Sequence, residues 1–467
     1  STRSRNWFNI RWTTFSIIND IQFNQHTRLN IKLFGIAGNR SSIGYLRAIN
    51  LPDSINPATM QYNNRALDID QYRNFGLEAR LATDYHFVGS NATLSTGVRL
   101  YHGQTSRFKD GVGDNGTNYS TVLTSAVWPK EIKYKSFNAA IFAENIFRLG
   151  KLLLVPGFRV EQVAGDASGI NGYASNGNAI YLQNQNRSRY FLLAGLGAEY
   201  HLQQKVELYA NITQAYRPMQ FSDLTAPPTT DEIDNNLKDA KGYNADLGIR
   251  GRVKSYLYFD ISAYHLQYNN RIGSITQQRV DGSFYNYRTN VGNSTSRGIE
   301  ALAEFSFIKA FHPQSKHTDF TVFVSFNYND AKYGSLKVIT KSGNSLVESN
   351  LKNKRVENAP ERILRSGFNL TIRDFGFTAQ LSHVSACFSD ANNTVTPTAN
   401  GQIGLIPAYT VADMHSQYKI NSKLTIKAGV NNLANHHYFT RRAGGYPGPG
   451  VLPADGRSGY FSIAATL

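Results

Sequence analysis

The segment Leu424-Thr425-Ile426-Lys427-Ala428-Gly429-Val430-Asn431 places apolar residues at even positions and polar residues or glycine at odd positions. Successive side chains of a β-strand point to opposite faces, so this pattern predicts a strand with one apolar and one polar face. The same alternation returns in four further segments, which cover residues 205–213, 243–250, 319–327 and 375–382. The sequence therefore predicts an all-β protein built from many strands of this kind.

The connections between the predicted strands alternate between short and long. Ile420-Asn421-Ser422 and Arg373-Asp374 are short, and so are 202–204, 148–150 and 88–90. The intervening connections are long, and they cover residues 433–458, 386–408, 217–241, 164–186, 104–132 and 38–70. Bacterial outer-membrane barrels have short periplasmic turns and long extracellular loops, whereas a soluble sandwich has no reason to sort its loops by side. The chain therefore predicts a transmembrane antiparallel β-barrel of about 17 strands, the first near residues 10–23.

The composition agrees with a barrel. Apolar residues make up 41% of the chain and the mean hydropathy is −0.38. No stretch approaches the roughly 18 consecutive apolar residues of a spanning helix. Only helices and closed barrels satisfy every backbone group inside a bilayer, so a membrane protein of this composition is expected to be a barrel. The 27 Tyr and 27 Phe residues suit aromatic girdles at the two interfaces, and the single Cys387 excludes an internal disulfide.

The charge balance is basic, with 49 Lys and Arg against 33 Asp and Glu and a net charge of +16. Such an excess indicates anionic ligands, lipopolysaccharide phosphates or nucleic acid. The basic residues are scattered without a dense run. This distribution argues against nucleic acid and favours a surface that faces lipopolysaccharide and outer-membrane lipid, with a minority of cations lining an anion site.

No catalytic or metal-binding constellation stands out in the sequence. There is no Ser/His/Asp set and no carboxylate pair above background, so an enzyme is not expected. His436 and His437 are adjacent and cannot face the same side of a strand, and the acidic loop stretches 110–114 and 231–234 lack full calcium-loop spacing. We therefore predict no resident cofactor and no metal site.

The strongest resemblance to a known family lies near the C-terminus. The run Asn431-Asn432-Leu433-Ala434-Asn435-His436-His437-Tyr438-Phe439-Thr440-Arg441-Arg442, together with residues 443–450 and 453–458, resembles the end of TonB-dependent receptors of the ferric-dicitrate-type branch. Further stretches match in order, at residues 4–8, 73–80, 143–147, 156–159, 215–218, 221–224, 268–273 and 287–292. The resemblance covers essentially the whole chain. Leu467, where such barrels often end in an aromatic residue, and Pro156, within a predicted strand, depart from the pattern.

The resemblance implies a barrel of about 22 strands that is filled by an N-terminal plug and energised through TonB. On this alignment residues 1–467 form one barrel domain, which holds roughly the last 17 strands and lacks the plug and the first strands. The alternation of short and long connections agrees with this alignment. Counted back from the C-terminus, it places Ser1 at the extracellular rim, whereas intact barrels of this kind have both termini in the periplasm. A fragment is the expected explanation, and a miscounted hairpin near 255–307 is the competing one.

The function implied by the resemblance is uptake of a ferric chelate, such as ferric citrate or a related siderophore, across the outer membrane of a Gram-negative bacterium. Iron then enters only as chelated substrate, and TonB binds through the missing N-terminal part. The alternatives are a plugless pore, a scaffold barrel in a larger outer-membrane complex, or TonB-dependent uptake of a non-iron ligand.

Arginine at the extracellular ends of strands is the residue type expected to bind such a ligand, because its planar fork pairs carboxylates bidentately. The alternative for each arginine is a rim position that faces water or lipopolysaccharide. One of Arg441 and Arg442 is expected to face inward, since neighbours in a strand point to opposite faces. The candidate ligand-binding residues are Tyr216, Arg217, Arg271, Arg288, Tyr438, Arg441 and Arg442.

Overall fold

A computed structural model describes the chain except residues 1–2, 48–50, 183–186, 221–230, 279–283, 343–344, 444–449 and 467. Leu467 and most of the glycine-rich stretch 444–450 therefore lie outside the described residues. The main sheet has 20 strands, of which three are short additions at Ala179–Tyr181, Asp231–Ile233 and Ser345–Asn350. The remaining 17 form the wall: β1 Trp7–Gln22, β2 Thr27–Gly44, β3 Ala66–Phe87, β4 Ser90–Val112, β5 Lys130–Leu149, β6 Leu152–Tyr173, β7 Arg187–Gln203, β8 Val206–Arg217, β9 Ala240–Val253, β10 Leu257–Gln278, β11 Phe284–Ser306, β12 Thr318–Ser342, β13 Arg362–Ile372, β14 Phe375–Val384, β15 Tyr409–Lys419, β16 Leu424–Asn431 and β17 Ser458–Ala465.

Each wall strand pairs antiparallel with the next one along the chain, so the wall is a continuous meander. Short turns join alternate pairs, and the longer excursions gather at the other rim, where three two-stranded hairpins add local structure. A five-residue helix, α1 (Phe307–Phe311), lies between β11 and β12. Across the described residues, β1 pairs only with β2 and β17 only with β16. The predicted fold class and the count of about 17 strands are confirmed, while the 22-stranded whole stays a prediction.

The outward faces of the strands are apolar and exposed. Phe75, Ile141, Leu192, Leu247 and Phe461 are 54%, 59%, 59%, 62% and 67% exposed, on strands spread around the wall. Aromatic and aliphatic side chains at this exposure would be costly in water, at about 25 cal/mol per Å² of apolar area. They form the lipid-facing belt that the alternating pattern predicted, and the polar residues between them face the lumen.

Several strands are far longer than a membrane requires. β4 has 23 residues and β12 has 25, whereas a tilted strand crosses the hydrocarbon with about 9–11 residues. The residues next to the short turns cross the membrane, and the strands continue above it toward the long loops. Among the described residues, no helix is long and apolar enough to span a bilayer.

The ladder between β7 and β8 is incomplete, and we call the gap between their upper parts the seam. Their ladder runs from the turn up to the pair Gly195 and Thr213 and then stops. Above that pair, β7 remains in register only with β6, and β8 only with β9. The Gln214 side chain crosses the seam, where its Oε1 accepts a hydrogen bond of 3.0 Å from the N–H of Ala194. The upper parts of β7 and β8 therefore separate, which leaves room on the lumen side.

Pro156 interrupts a ladder without shifting it. The β5–β6 pairing is Glu144 with Gly157 above the proline and Phe147 with Leu154 below it, which is one unbroken register. No pair is assigned at Pro156 on this side, because proline has no N–H to donate. The predicted irregularity is thus a local gap in the hydrogen bonding, and the register does not slip.

Two buried arginines tie the long connections near β1 to β4 together, and we call this set the Arg5 loop cluster. The Arg5 guanidinium donates to both carboxylate oxygens of Asp53, at 2.9 and 2.7 Å. It also donates to the carbonyls of Asn115 at 3.0 Å, Gly116 at 3.1 Å and Asn63 at 3.1 Å. Its five N–H groups, the full donor set of a guanidinium, thus meet five acceptors.

The second arginine of this cluster, Arg65, lies beside Arg5. It donates to the Arg5 carbonyl at 3.2 Å and forms an ion pair with Asp114. Arg5 and Arg65 are both 1% exposed. Because all of these partners lie on connections between strands, the cluster fixes the shape of the long-loop rim on this side of the wall.

Candidate functional site

A cavity of about 230 Å³ lies above the seam, on the lumen side of β5, β6 and β7. Arg187 and Arg189 project into it from β7, opposite Gly165 and Val163 of β6 in the ladder. These arginines face inward because the alternate residue, Tyr190, is 73% exposed on the outer face. Pro218, Met219, Gln220 and Asp239 close the cavity from the side of β8 and β9. We call this space the mouth cavity.

Asp239 is the carboxylate of the mouth cavity, and it is largely buried. Its Oδ2 lies 2.7 Å from Nε of Arg189 and also accepts a hydrogen bond from the Tyr216 hydroxyl. Its Oδ1 accepts the backbone N–H of Met219 at 2.9 Å. Three donors therefore occupy Asp239, and its negative charge is already matched by Arg189.

Arg187 has no hydrogen bond or ion pair assigned in the part of the chain that the structure describes. It is half-buried at the loop end of β7, above the residues that cross the membrane. Burial and the neighbouring Arg189 charge lower the pKa of Arg187, and the Asp239 charge opposes them. The guanidinium nevertheless stays charged, because its ordinary pKa lies far above neutral pH. The mouth cavity thus contains two cations and one carboxylate, which is an environment that favours an anion.

Tyr216 supports the mouth cavity from β8. Its ring stacks on Phe191 of β7, with ring centroids 3.8 Å apart and planes inclined by 24°. The stack holds the upper end of β8 against β7 across the seam, and the hydrogen bond from Tyr216 orients Asp239 toward Arg189. Arg217 is the last residue of β8 and is in register with Ala240, directly before Pro218 in the cavity wall. Of the predicted residues, Tyr216 thus contacts Asp239 of the cavity wall and Arg217 directly precedes the wall residue Pro218, while neither lines the cavity itself.

Arg271 is engaged by a separate cluster. It follows an irregularity in the β10–β11 ladder, where Asn270 takes a left-handed φ of 55°. Its guanidinium lies 3.6 Å from a Glu357 oxygen, and it donates to the Ser294 hydroxyl at 3.3 Å. It also lies over the ring of Tyr333, 5.2 Å from the centroid. These contacts indicate that Arg271 joins β10 to the connection after β12.

Arg288 lies on β11, next to the short strand Asp231–Ile233. It pairs with Ile233 in a parallel ladder and with Ser274 in the antiparallel one. Its carbonyl accepts the N–H of Asp234 at 2.9 Å. The backbone of Arg288 therefore anchors the segment shortly before Asp239, which closes the mouth cavity together with Pro218 and Met219.

The structure separates Arg441 from its neighbour Arg442. Both lie on the hairpin formed by Phe439–Ala443 and Gly450–Pro453. Arg442 donates to the carbonyl of Gly401 at 2.8 Å and to that of Leu405 at 2.8 and 3.3 Å, so it fixes the preceding loop to the hairpin. Arg441 is exposed, and no polar partner is assigned to it among the described residues. Of the two arginines, Arg442 is engaged by the preceding loop, and whether Arg441 contacts a ligand stays a prediction.

Tyr438, directly before this hairpin, is packed against neighbouring aromatic rings. It stacks on Tyr409 of β15, with centroids 4.4 Å apart and planes inclined by 27°, and lies beside His436. The stack joins the last long connection to the start of β15 at the long-loop rim. Tyr438 therefore orients the hairpin that presents Arg441.

Residues 1–433 match the family model described as TonB dependent receptor-like, beta-barrel. The chain belongs to this family. Its members are outer-membrane proteins of Gram-negative bacteria, and both family and fold are those of transport receptors rather than enzymes.

Solved structures show the same fold as this receptor-like barrel. One is the ferric citrate transporter FecA in the unliganded form, with a TM-score of 0.77 and 19% identity over 100% of this chain and 63% of that one. Another is the siderophore receptor PiuA from Acinetobacter baumannii, with a TM-score of 0.75 and 12% identity over 99% of this chain and 65% of that one. A third is the copper transporter OprC, with a TM-score of 0.68 and 15% identity over 98% of this chain and 65% of that one. This receptor-like barrel thus spans less than two thirds of the length of these proteins.

Sequence reasoning missed Arg187, Arg189 and Asp239 of the receptor-like barrel. The two arginines carried a usable signal, because they alternate with Ser188 and Tyr190 at the start of a strand that follows a long loop. Neighbouring residues of a strand point to opposite faces, as was argued for Arg441 and Arg442, so Arg187 and Arg189 share one face. No local sequence pattern indicates that Asp239 belongs to the site, because it lies beside Arg189 only where β7 and β8 separate.

Proposed function

We propose that this chain is the barrel domain of an outer-membrane receptor that takes up an anionic ferric chelate, with ferric citrate or a related carboxylate siderophore as the ligand. Membership of the family and the fold shared with ferric citrate and siderophore receptors support uptake of iron chelates. The observation that carries the choice of an anionic ligand is the mouth cavity, where, among the residues that the structure describes, Arg187 has no ion pair of its own beside the Arg189–Asp239 pair.

The chemistry of the mouth cavity suits carboxylates. A guanidinium that is half removed from water binds a carboxylate more strongly than an exposed one, because each hydrogen bond is charge-assisted and less screened. The Arg187 fork would take one carboxylate of the chelate, and Arg441 a second from across the mouth. Arg217 ends β8, and Arg288 on β11 pairs with Ile233 in the connection between β8 and β9. The proposal keeps both arginines as further ligand contacts.

The proposal assigns residues 1–467 to the barrel, with iron present only as chelated substrate and no resident cofactor. The plug and the contact with TonB, which supplies the energy, are placed outside these residues. Uptake of a non-iron ligand is the second candidate, because the copper transporter OprC shares the fold. In that case the cavity cations would bind a different anion.

Calorimetry on the full-length receptor separates these candidates. Ferric citrate, iron-free citrate, a ferric catecholate and a copper salt are titrated in turn into purified protein in detergent. If the proposal is correct, we expect heat of binding from ferric citrate, less heat from citrate alone, and no heat from the copper salt. Binding of the copper salt alone would replace the first candidate by the second, and absence of binding to all four would reject the ligand class.

A further inference from the structure

Asp239 is the only acidic residue among the described residues that line the mouth cavity, and it lies directly before β9. The residue is 8% exposed. Its carboxylate is held from three sides, by Arg189 of β7, by the Tyr216 hydroxyl of β8 and by the backbone N–H of Met219. Turning this carboxylate out of the cavity would break all three contacts, so its negative charge stays in the wall when a ligand enters.

The charged groups that line the mouth cavity are two cations and one carboxylate. Arg187 and Arg189 supply the cations, and Asp239 supplies the carboxylate. Below them on β6, Arg159 and Glu161 form an ion pair of 2.7 Å, so their charges cancel. The other described residues of the wall are uncharged. The wall of the mouth cavity therefore has one positive charge left over for a ligand.

One ligand carboxylate balances this charge, and a second one gains no cation of its own. Arg187 offers its planar guanidinium to the first carboxylate. A second carboxylate in the same cavity would lose water, while the Arg189 charge is already neutralised by Asp239. The cavity is small, at about 230 Å³, so this second group would lie close to the fixed Asp239 carboxylate. Repulsion between the two is screened less in a half-buried cavity than in water.

We propose that Asp239 sets the charge selectivity of the mouth cavity, so that the cavity accepts one carboxylate and disfavours a ligand group that brings in two. It does so by neutralising Arg189, which leaves Arg187 for the ligand. This selectivity rests on the proposed function, which places an anionic ligand at the mouth cavity. A chelate with several carboxylates would then insert a single carboxylate arm and keep the others outside, on the side of Arg441.

Calorimetry on the full-length receptor tests this selectivity, with glutarate and its monoamide as iron-free probes. The two molecules have nearly the same shape, but the monoamide has an uncharged amide in place of one carboxylate. Wild type should bind the monoamide at least as tightly as glutarate. Asp239→Asn frees Arg189 for a second charge-assisted contact, so it should strengthen glutarate binding about tenfold to a hundredfold and monoamide binding by less.

The ratio of the two dissociation constants separates selectivity from a structural role. Asp239→Asn keeps an oxygen that can accept the N–H of Met219. If Asp239 only held Tyr216 and Met219 in place, this variant would weaken both probes alike and leave the ratio unchanged. Asp239→Glu keeps the charge and should keep the wild-type ratio.

A matched control and a folding check accompany these variants. Asp246→Asn removes another carboxylate of β9, one that accepts a hydrogen bond of 3.2 Å from Asn211 further down the strand. Because Asp246 lies away from the mouth cavity, this variant should leave the ratio unchanged. Arg187→Ala should weaken both probes, and all proteins should show the heat-modifiable migration of a folded barrel.

Two results would overturn the proposal. One is the same ratio in wild type and Asp239→Asn, and the other is the absence of binding of both probes to both proteins. Binding of ferric citrate together with an unchanged ratio would reject the selectivity alone. A ratio that shifts toward glutarate in a receptor that does not bind ferric citrate would support the selectivity and reject the choice of chelate.

Discussion

Arg5 and Arg187 both lie at the long-loop rim, yet their surroundings are opposite. The Arg5 guanidinium is 1% exposed and meets five acceptors of its own chain, among them both oxygens of Asp53. Arg187 lines a cavity whose one carboxylate is already bound by Arg189, Tyr216 and Met219. An arginine whose donors are satisfied internally is a structural element, whereas Arg187, for which the described part of the chain shows no ion pair, is available to a ligand. The candidate site is therefore identified by which arginines lack intramolecular partners among the described residues, and the number of arginines at the rim is less informative.

The largest effect is expected from breaking the Arg5 loop cluster. Arg5→Ala leaves the Asp53 carboxylate buried without its partner, and such a loss costs about 3–5 kcal/mol. Residues 51–65 and 113–129 should become sensitive to limited proteolysis, and the apparent melting temperature should fall. Arg5→Met/Asp53→Leu removes both charges and should recover much of the loss. Unchanged protease resistance in Arg5→Ala would contradict the structural role.

Removing Arg187 should change binding and leave stability nearly unaffected. Arg187→Ala should weaken ferric citrate binding about tenfold to a hundredfold, which corresponds to 1.5–3 kcal/mol for a charge-assisted contact. Calorimetry on the full-length receptor measures this, and Arg187→Lys should recover only part, since it keeps the charge but not the fork. The matched control is Lys241→Ala, which removes an exposed cation from the same rim. Equal affinity in wild type and Arg187→Ala would place the ligand elsewhere.

The pair Arg441 and Arg442 repeats the comparison within two adjacent residues. Arg442→Ala loses its hydrogen bonds to the carbonyls of Gly401 and Leu405, at a cost of about 1 kcal/mol or more. Amide exchange in residues 401–406 should therefore accelerate. Arg441→Ala should leave that exchange unchanged and weaken ferric citrate binding alone. The reverse assignment of the two effects would show that the inward arginine is Arg442.

The smallest effect concerns pH and the Arg5 loop cluster. Burial raises the pKa of Asp114, but hydrogen bonds from Ser120, Arg65 and the N–H of Gly116 outweigh it, and the net pKa lies below the ordinary 3.8. A carboxyl with a depressed pKa stabilises the fold above its unfolded value and loses that contribution as the pH falls through the folded value. Proteolysis of residues 113–129 should therefore accelerate below about pH 3.8, and less so in Asp114→Asn.

The wall could be predicted from the sequence because its signal is local. Alternation in Leu424–Asn431 and similar segments has a period of two residues, and the length of each connection can be read directly, so strand number and loop sorting follow. Gly150, with a φ of 62°, suits the tight connection before β6, because glycine adopts this left-handed conformation without steric cost.

The candidate site could be predicted only in part because its contacts are distant in sequence. Arg5 meets Asn115, which is 110 residues away, and Arg442 meets Gly401, which is 41 residues away. Nothing local distinguishes Arg271, which is held by Glu357 and Tyr333, from Arg187, for which no such partner is seen among the described residues. The roles of the seven predicted residues in ligand binding remain predictions that the proposed variants can check.

The seam between β7 and β8 also divides the wall mechanically. Below Gly195 the two strands share a ladder, so displacing one from the other would break hydrogen bonds in series. Above it, residues 187–194 belong with β6, and residues 214–217 belong with β9. The upper ends of β8 and β9 can thus hinge away from β7 at the cost of the Arg189–Asp239, Phe191–Tyr216 and Ala194–Gln214 contacts, while the β7–β8 ladder below stays intact. A barrel that must remain sealed to lipid can in this way open its rim beside Arg187 without loosening the belt beneath it.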